Sequence, residues 1–281
     1  MEPLSPAEPE PAALEQTPPI VRVLGTPIAQ LALPGLLDYF RQAVRSARKD
    51  HRTRLIAYAN AHTCNLSAED AEYRWALQQL DVVYTDGNGP RLAAWLAGSW
   101  LPPRMTAADW IYDLCRLSAR EGFRLYFLGG TQGVAEQAAN RLRSQVPGLS
   151  LVGAHDGYFS PEREGCVLQS IRAAAPDILA PGMGTPRQEI WMVRRRDALH
   201  VPVAWGAGGV FDYASGRIAR PPWWMRKFAL EWLGRMMIEP RRLAMRYLVG
   251  LPIFLARSLR YGLSARAGIR VSDGKRSLRR R

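Results

Sequence analysis

The chain has 281 residues, 47% of them apolar, which is enough for one large α/β domain with an appendage. Its formal net charge of +13 lies entirely in residues 220–281, which contain 16 Lys or Arg and three acidic residues. Residues 1–219 contain 22 basic and 22 acidic residues and are neutral. The longest apolar run, 247–256, has ten residues, whereas a membrane span needs about 20, so we expect no helix that crosses the bilayer.

The composition divides the chain into four expected segments. Residues 1–19, with six prolines, four glutamates and no apolar cluster, are predicted to be disordered. Residues 20–219 are predicted to form the α/β domain. Residues 220–263 are predicted to be a basic amphipathic appendage, because tryptophans and methionines are interspersed among its arginines. This combination favours an anionic membrane surface over a nucleic-acid groove. Residues 264–281 form a basic tail that we also expect to be disordered.

Apolar periodicity predicts alternating strands and helices over most of the chain. The predicted strands are, in chain order, 20–25, 54–59, 81–85, 123–128, 149–153, 177–180 and 201–205. The predicted helices are 34–49, 67–80 capped by Ser67, 107–122 capped by Thr106, one that follows the turn 129–131 and ends at 145, 161–174, 185–198, and two basic helices at about 223–238 and 241–262. The alternation predicts a Rossmann-like, mostly parallel sheet with helices on both faces.

Asp86 is the first candidate for chemistry. It directly follows the predicted buried strand 81–85, so it lies at the carboxyl edge of the sheet, where open parallel sheets bind their ligands. Gly87 and Gly89 allow the backbone to come close to a ligand. A carboxylate in this position can act as a general base on a hydroxyl group. Taken alone, the residues slightly favour a simpler role for Asp86, that of a helix N-cap or turn aspartate.

Two turns that open predicted helices can each hold a ligand or be purely structural. Gly129 and Gly130 precede a helix start whose free amides suit a phosphate, and a tight turn explains them equally well. They do not form the G-x-G-x-x-G fingerprint of a dinucleotide site. Thr185 is predicted to cap the helix 185–198 with Gln188 at the capping-box position, and a glutamine used in this way would not be available to a substrate.

Other polar residues near strand ends have structural explanations. Asp212 is either a second functional carboxylate or the ion-pair partner of Arg217 or Arg220, and the ion pair is favoured. His62 and His155 lie near strand ends without the spacing of a catalytic triad or a metal site, so a structural role is predicted. The sequence contains no D-x-D motif, and we expect no site for a divalent metal.

Several short motifs follow one another in a specific order between residues 20 and 255. They are Asn60, Thr-Asp-Gly-Asn-Gly at 85–89, Arg-Met-Thr-Ala-Ala-Asp at 104–109, Phe-Leu-Gly-Gly at 127–130, Gly-Tyr-Phe at 157–159, Gly-Thr-Pro-Arg-Gln-Glu at 184–189, Gly-Ala-Gly-Gly-Val-Phe-Asp at 206–212, Gly216, Arg220, Pro222, Glu-Trp-Leu at 231–233, Arg235, Glu-Pro-Arg-Arg at 239–242 and Arg-Tyr at 246–247. Each motif is weak alone, but their order and spacing resemble the WecG/TagA/CpsF family of bacterial glycosyltransferases.

The resemblance implies transfer of a sugar from a UDP-sugar to an undecaprenyl-diphosphate-linked sugar at the cytoplasmic face of the plasma membrane. It implies inversion at the anomeric carbon, no cofactor, no required metal and no nucleic-acid partner. Family members can form homo-oligomers, and the sequence does not decide this point. Asp86 matches the catalytic base. The predicted substrate-binding residues are Tyr58, Asn60, Asn88, Arg104, Asp109, Gly129, Gly130, Gln188 and Asp212. The appendage residues predicted to bind a diphosphate are Arg235, Arg242 and Arg246.

The chain departs from the family pattern at two positions near the expected sugar pocket. Tyr58 stands where the family often has threonine, and Ala107 where it usually has glycine, so the sequence does not identify the sugar. Two other classes explain parts of the chain. A Rossmann-type oxidoreductase would use the turn at Gly129 but lacks its fingerprint. A nucleic-acid-binding protein would act through the basic tail and show a steep salt dependence.

Overall fold

The computed structural model describes residues 18–222, 225 and 231–266, without the side chains of residues 231, 232, 235 and 242. The predictions of disorder for 1–19 and 264–281 therefore fall mostly outside the described residues, as does much of the predicted helix 223–238. Within the described part, no helix is long and apolar enough to cross a membrane.

Within the described residues, six parallel strands form the main sheet. Numbered in chain order, the strands are β1 (Ile20–Val23), β2 (Thr26–Ala29), β3 (Arg54–Ala59), β4 (Val82–Thr85), β5 (Arg124–Gly129), β6 (Ser150–His155), β7 (Ile178–Gly182) and β8 (Val203–Trp205). The order across the main sheet is β4-β3-β8-β7-β5-β6, and all neighbouring strands are parallel. β1 and β2 form a separate antiparallel hairpin. The predicted mostly parallel sheet is confirmed.

Helices pack on both faces of the sheet. They are α1 (Leu33–Asp50), α2 (Ala61–Glu69), α3 (Ala71–Gln79), α4 (Gly89–Leu96), α5 (Ala107–Glu121), α6 (Val134–Gln145), α7 (Pro161–Ala174), α8 (Arg187–Leu199), α9 (Val210–Ala214), α10 (Glu231–Ile238), α11 (Pro240–Ala244) and α12 (Gly250–Arg266). A π-helical turn, Met245–Val249, joins α11 to α12. One face of the sheet packs against α1, α5, α6 and α9, and the other packs against α7 and α8. The strands are short apolar runs because both faces are buried.

The segment after β3 differs from the prediction. The single helix 67–80 capped by Ser67 is wrong, because two helices, α2 and α3, occupy 61–79. Asn60 caps α2 by accepting the backbone N–H of His62 and Thr63, and Asp70 caps α3 in the same way. Ser67 lies fully buried inside α2. The polar start of α2 has no helical apolar period, so periodicity placed the helix too late.

The C-terminal appendage and three short elements also differ in detail from the prediction. The predicted helix 241–262 is a succession of α11, the π-helical turn and α12, which continues to Arg266. β2, α4 and α9 were not predicted. α4 and α9 have eight and five residues, which is too short for a helical period to stand out.

A close approach of β5 and β7 generates a stability prediction for Gly129→Ala. A Cβ on Gly129 would lie 2.6 Å from the Cα and the carbonyl oxygen of Gly182, and backbone atoms of a paired strand cannot move aside. We expect the free energy of unfolding, measured in urea, to fall by about 1–3 kcal/mol. The control is Gly165→Ala in α7, where no atom lies within 4 Å of the added Cβ. That variant should gain about 0.5–1 kcal/mol, and equal effects of the two substitutions would contradict the packing argument.

Candidate active site

The residues that follow β3, β4, β7 and β8 meet at the carboxyl edge of the sheet. Around them lies a cavity of about 260 Å³, called here the inner cavity, whose walls include Tyr58, Asp86, Thr185, Tyr213 and Arg246. The first three come from the sheet edge, and Arg246 comes from the π-helical turn of the appendage. Ligand sites of open α/β sheets occur at this edge. The appendage closes one side of the inner cavity.

A second cavity, called here the outer cavity, adjoins the first. It has a volume of about 520 Å³ and lies between the start of α4 and the appendage. Its apolar wall is formed by Leu92, Leu251, Phe254 and Leu255. The residues that line both cavities are Asn60, His62, Asp86, Thr106 and Arg246. Asp86 therefore lies at the junction of a more polar cavity and a more apolar one.

Asn60 connects the groups at this junction. Its Oδ1 accepts the backbone N–H groups of His62 and Thr63 at 3.0 and 3.1 Å, which fixes the orientation of the amide. The Nδ2 group then points towards Asp86 and lies 3.5 Å from Asp86 Oδ2. Arg246 Nη2 lies 3.4 Å from the same Asn60 Oδ1. One side chain thus caps α2 and lies between the carboxylate and the arginine.

Asp86 is not a helix cap. The N-cap position of α4 is Asn88, which makes no side-chain capping hydrogen bond. The backbone N–H of Asp86 donates to the carbonyl of Ala59 at 2.7 Å and extends the β3–β4 ladder by one residue. The carboxylate is half-buried and faces both cavities. The sequence slightly favoured a structural role for Asp86, as a helix N-cap or a turn aspartate. The N-cap role is wrong.

Asn88 and Arg104 line the outer cavity only. Arg104 Nη1 donates to Thr106 Oγ1 at 2.9 Å, so the hydroxyl of Thr106 serves this arginine rather than capping α5, although Thr106 does occupy the predicted N-cap position. Asn88 Oδ1 accepts from Arg91 at 3.2 Å. Both predicted binding residues therefore border the cavity that the appendage covers.

The appendage is docked on α2 by polar contacts. Asn65 Nδ2 donates to the carbonyl of Gly250 at 2.7 Å, and Asn65 Oδ1 accepts from Arg257 at 3.2 Å. Arg257 also forms an ion pair with Glu69 at 2.8 Å. These contacts hold the segment that carries Arg246 next to Asn60. The side chains of Arg235 and Arg242, predicted to act beside Arg246, lie outside the described residues.

His62 was predicted to be structural, yet it lines both cavities. Burial, with the charge of Arg246 as a smaller cause, lowers the pKa of His62 to about 4. The imidazole is therefore neutral at physiological pH and keeps one donor and one acceptor nitrogen for a ligand. The sequence signal that was available is its position in the first turn of α2, two residues after Asn60.

A buried polar network lies beneath the inner cavity. Gln188 is fully buried, donates to Glu189 Oε1 at 2.7 Å and accepts the N–H of Gly208 at 3.1 Å. It therefore caps no helix, and it is not among the described residues that line the two cavities. The predicted cap at Thr185 is also wrong, because α8 begins at Arg187 and the Thr185 hydroxyl donates to Glu189 at 3.0 Å.

Tyr58 and Thr185 are the members of this network that line the inner cavity. The Tyr58 hydroxyl lies 3.2 Å from Thr185 Oγ1, whose only hydrogen is used on Glu189, so the phenol is the donor of this contact. Burial raises the pKa of Tyr58 to about 12, so the phenol keeps its proton. Its oxygen lone pairs remain able to accept a hydrogen bond from a ligand hydroxyl.

Four other predicted site residues have structural contacts and do not line either cavity. Asp109 forms an ion pair with Arg220. Asp212 Oδ1 lies 3.5 Å from Arg217 Nη1, which agrees with the ion pair that the sequence favoured. Gly129 and Gly130 lie at the end of β5, where the N–H of Gly130 donates to the carbonyl of Gly182. None of the four is among the described residues that line the two cavities.

The described residues contain no group of three or more His, Cys, Asp or Glu side chains placed to hold a metal ion. The groups at the junction are one carboxylate, one amide, one neutral imidazole, one hydroxyl and one guanidinium. Such a set can accept a proton from a hydroxyl and neutralise an anionic group close to it.

A parallel α/β sheet with a carboxylate at the junction of two edge cavities, both bordered by a basic appendage, is an arrangement typical of the ligand sites of α/β enzymes. The chain belongs to the Glycosyl transferase WecG/TagA/CpsF family, whose profile matches residues 21–268. It is therefore a glycosyltransferase, and the resemblance inferred from its motifs is confirmed. It is similar to the N-acetylglucosaminyldiphosphoundecaprenol N-acetyl-beta-D-mannosaminyltransferase of Bacillus spizizenii. The two are 29% identical over 206 residues, which cover 73% of this chain and 79% of the relative.

The buried network generates a pH prediction. Burial raises the pKa of Glu189 from 4.5 to about 7, and Glu189 Oε2 has no hydrogen-bond partner among the described residues. Between pH 4.5 and 7 the unfolded chain loses this proton while the folded protein keeps it, so the free energy of unfolding falls as the pH rises. The expected loss from this one group is about 3 kcal/mol, complete above pH 7.

Glu189→Gln removes the titration, so the difference in the free energy of unfolding between variant and wild type should shift by about 3 kcal/mol in favour of the variant across this pH range. Urea unfolding at a series of pH values measures it. The control is Glu136→Gln, at an exposed glutamate in α6. A constant difference between Glu189→Gln and wild type would show that Glu189 is already ionised below pH 5.

Proposed function

We propose that the protein transfers a sugar from a UDP-sugar to an undecaprenyl-diphosphate-linked sugar at the cytoplasmic face of the plasma membrane, with inversion at the anomeric carbon and no required metal. The observation that carries the proposal is the position of Asp86 at the junction of the inner and outer cavities, with Arg246 beside it. The relative from Bacillus spizizenii is named for a lipid-linked acceptor of this kind, which supports the choice of acceptor.

We assign the inner cavity to the donor and the outer cavity to the acceptor. The inner cavity offers polar groups for sugar hydroxyls, among them Tyr58 and Thr185, and the small residues Gly184 and Gly209 let a ligand approach the backbone. The outer cavity has the apolar wall that suits the lipid-proximal part of an acceptor. We propose a hexose, an N-acetylhexosamine or a uronic acid derivative as the sugar, since all three carry hydroxyl groups that can form hydrogen bonds with these polar groups.

Asp86 acts as the general base in this arrangement. It takes the proton of the acceptor hydroxyl as that oxygen forms a bond to the anomeric carbon, and the bond from that carbon to the UDP oxygen breaks. The acceptor enters from the outer cavity and UDP leaves on the opposite, inner side, so the configuration inverts. Asn60 holds the carboxylate in place through its Nδ2 group. Arg246 lies at the same junction and neutralises diphosphate charge.

The appendage and tail supply the attraction to the membrane surface in this proposal. Each Lys or Arg close to an anionic bilayer contributes about 1 kcal/mol, so a part of the 16 basic residues in 220–281 is enough to hold the enzyme there. Binding of this kind brings the enzyme to an acceptor that stays in the lipid phase. It also predicts release of the enzyme as the salt concentration rises.

Asp86→Asn keeps the shape of the side chain and removes the base. We expect kcat to fall by about 10²–10⁴-fold while the donor binds with nearly unchanged affinity. UDP release with a short-chain lipid-diphosphate sugar as acceptor, in the presence of EDTA, measures kcat, and calorimetry measures donor binding. The matched control is Asp113→Asn, an aspartate in α5 whose side chain is 41% exposed and paired with Arg116. Near-normal turnover of Asp86→Asn would rule out Asp86 as the base. Separately, loss of wild-type activity in EDTA would rule out a metal-free reaction.

Arg246→Ala should lower kcat by about 10²–10³-fold, because a half-buried cation that neutralises developing charge is lost. Arg246 Nε is buried and has no protein partner among the described residues, which leaves it for a ligand. The matched control is Arg241→Ala, an exposed arginine in α11, which should keep wild-type kcat. Equal kcat values for the two variants in the same assay would contradict the role of Arg246.

A further inference from the structure

The hydrogen bonds beneath the inner cavity have a direction that the backbone sets. The N–H of Gly208 can only donate, so it makes Gln188 Oε1 the acceptor and leaves the Nε2 group to donate to Glu189 Oε1 at 2.7 Å. Thr185 donates its one hydrogen to the same oxygen at 3.0 Å. A proton bound by this carboxyl lies on Oε2, which has no hydrogen-bond partner among the described residues. The direction of the chain is therefore the same in both protonation states of Glu189.

Tyr58 is the last member of this hydrogen-bond chain. Its hydroxyl donates to Thr185 Oγ1 at 3.2 Å, because the hydrogen of Thr185 is already used. The phenol also packs against Gly208, where an added Cβ would lie 2.6 Å from the Tyr58 oxygen. Both hydroxyl-bearing residues line the inner cavity. Their hydrogens are used within the protein, so the hydroxyl groups of Tyr58 and Thr185, called here the acceptor wall, offer a ligand oxygen lone pairs and no O–H group.

The charges around the inner cavity favour the same kind of ligand group. Among the described residues that line it, Arg246 is the one cationic side chain and Asp86 the one anionic side chain. Glu189 lies behind the acceptor wall, bonded to Thr185. The proposed function uses Arg246 on the diphosphate of the donor. A carboxylate on the sugar would then add negative charge to a cavity with no second described cation in its wall.

The size of the inner cavity brings the sugar close to this wall. Its volume of about 260 Å³ is below the range of about 300–1,000 Å³ that is usual for ligand pockets, so a sugar ring contacts its walls on several sides. A hydroxyl or an amide N–H donates to the acceptor wall. A carboxylate is ionised at neutral pH and has only lone pairs, so next to this wall neither partner has a hydrogen to share. Such unpaired polar groups weaken binding strongly.

We propose that the acceptor wall determines the class of donor sugar, by accepting hydrogen bonds from a neutral hexose or N-acetylhexosamine and rejecting a uronate. Tyr58 is the specificity-determining residue, because its oxygen faces the sugar. Glu189 is a positioning residue, because it acts through Thr185. The inference rests on the proposed function and narrows its three classes of sugar to the two neutral ones.

The test measures binding to the full-length protein by calorimetry. The ligands are UDP and two pairs of UDP-sugars that differ only in the oxidation of C6, UDP-glucose with UDP-glucuronate and UDP-galactose with UDP-galacturonate. UDP alone gives the part of the affinity that does not depend on the sugar. In the pair that binds more tightly, we expect wild type to bind the neutral sugar at least about tenfold more tightly than the uronate.

Two variants change the acceptor wall in opposite ways. Tyr58→Phe removes the accepting oxygen, so the neutral sugar should bind about 3–10-fold more weakly while the uronate loses no affinity. Thr185→Val keeps the shape of the side chain and releases the phenol hydrogen towards the cavity, so the uronate should bind about 3–10-fold more tightly than it does to wild type. A merely structural role would instead weaken both members of a pair equally.

The matched control is Tyr112→Phe, at a half-buried tyrosine in α5 that lines neither cavity. It should keep the wild-type ratio of the two affinities. Each variant should bind UDP alone as wild type does, which shows that the site is folded.

The outcomes separate the inference from the proposed function. If wild type binds a neutral sugar and its uronate equally, or the uronate more tightly, the inference is overturned while the proposed reaction stands. The same conclusion follows if Tyr58→Phe and Thr185→Val both keep the wild-type ratio. If wild type binds neither UDP nor any of the four UDP-sugars, the proposed function fails and the inference fails with it.

Discussion

The amide of Asn60 is the interaction on which the arrangement of the site depends. Its Oδ1 accepts two backbone N–H groups of α2, so its Nδ2 is directed towards Asp86, and the same oxygen lies within 3.4 Å of Arg246. The sheet edge, the first turn of α2 and the appendage therefore meet at one side chain. A cap is a rigid support because it satisfies amides that would otherwise be unpaired in a buried region. The group that orients the carboxylate thus also fixes where the appendage arginine can lie.

The frame of the fold could be predicted from the sequence because strands buried on both faces are short apolar runs, which stand out between amphipathic helices. The bounds of β3 and α7 agree with the prediction. Caps could not be predicted as well, since several polar residues compete for each helix start and only the folded chain selects one. Asn60 rather than Ser67 caps the helix after β3 for this reason.

The candidate site was predictable where a residue follows a strand directly, as Asp86 follows β4. It was not predictable where the role depends on neighbours distant in sequence. Gln188 is held by the amide of Gly208, 20 residues away, and is buried under the cavity rather than in its wall. His62 has no motif of its own, and it lines both cavities from the first turn of α2, next to its cap Asn60.

In the proposed function, the appendage connects membrane contact to the completeness of the site. α12 carries exposed leucines on one side and is docked on α2 on the other, and the turn before it carries Arg246. In the undocked arrangement Arg246 would leave Asn60, and the outer cavity would lose its wall of Leu251, Phe254 and Leu255. Any ligand that binds the docked appendage more tightly than the undocked one therefore favours docking. It thereby also favours the assembly of both cavities. Because such coupling is reciprocal, a ligand that fills the outer cavity and the proposed membrane contact of the appendage would strengthen each other's binding.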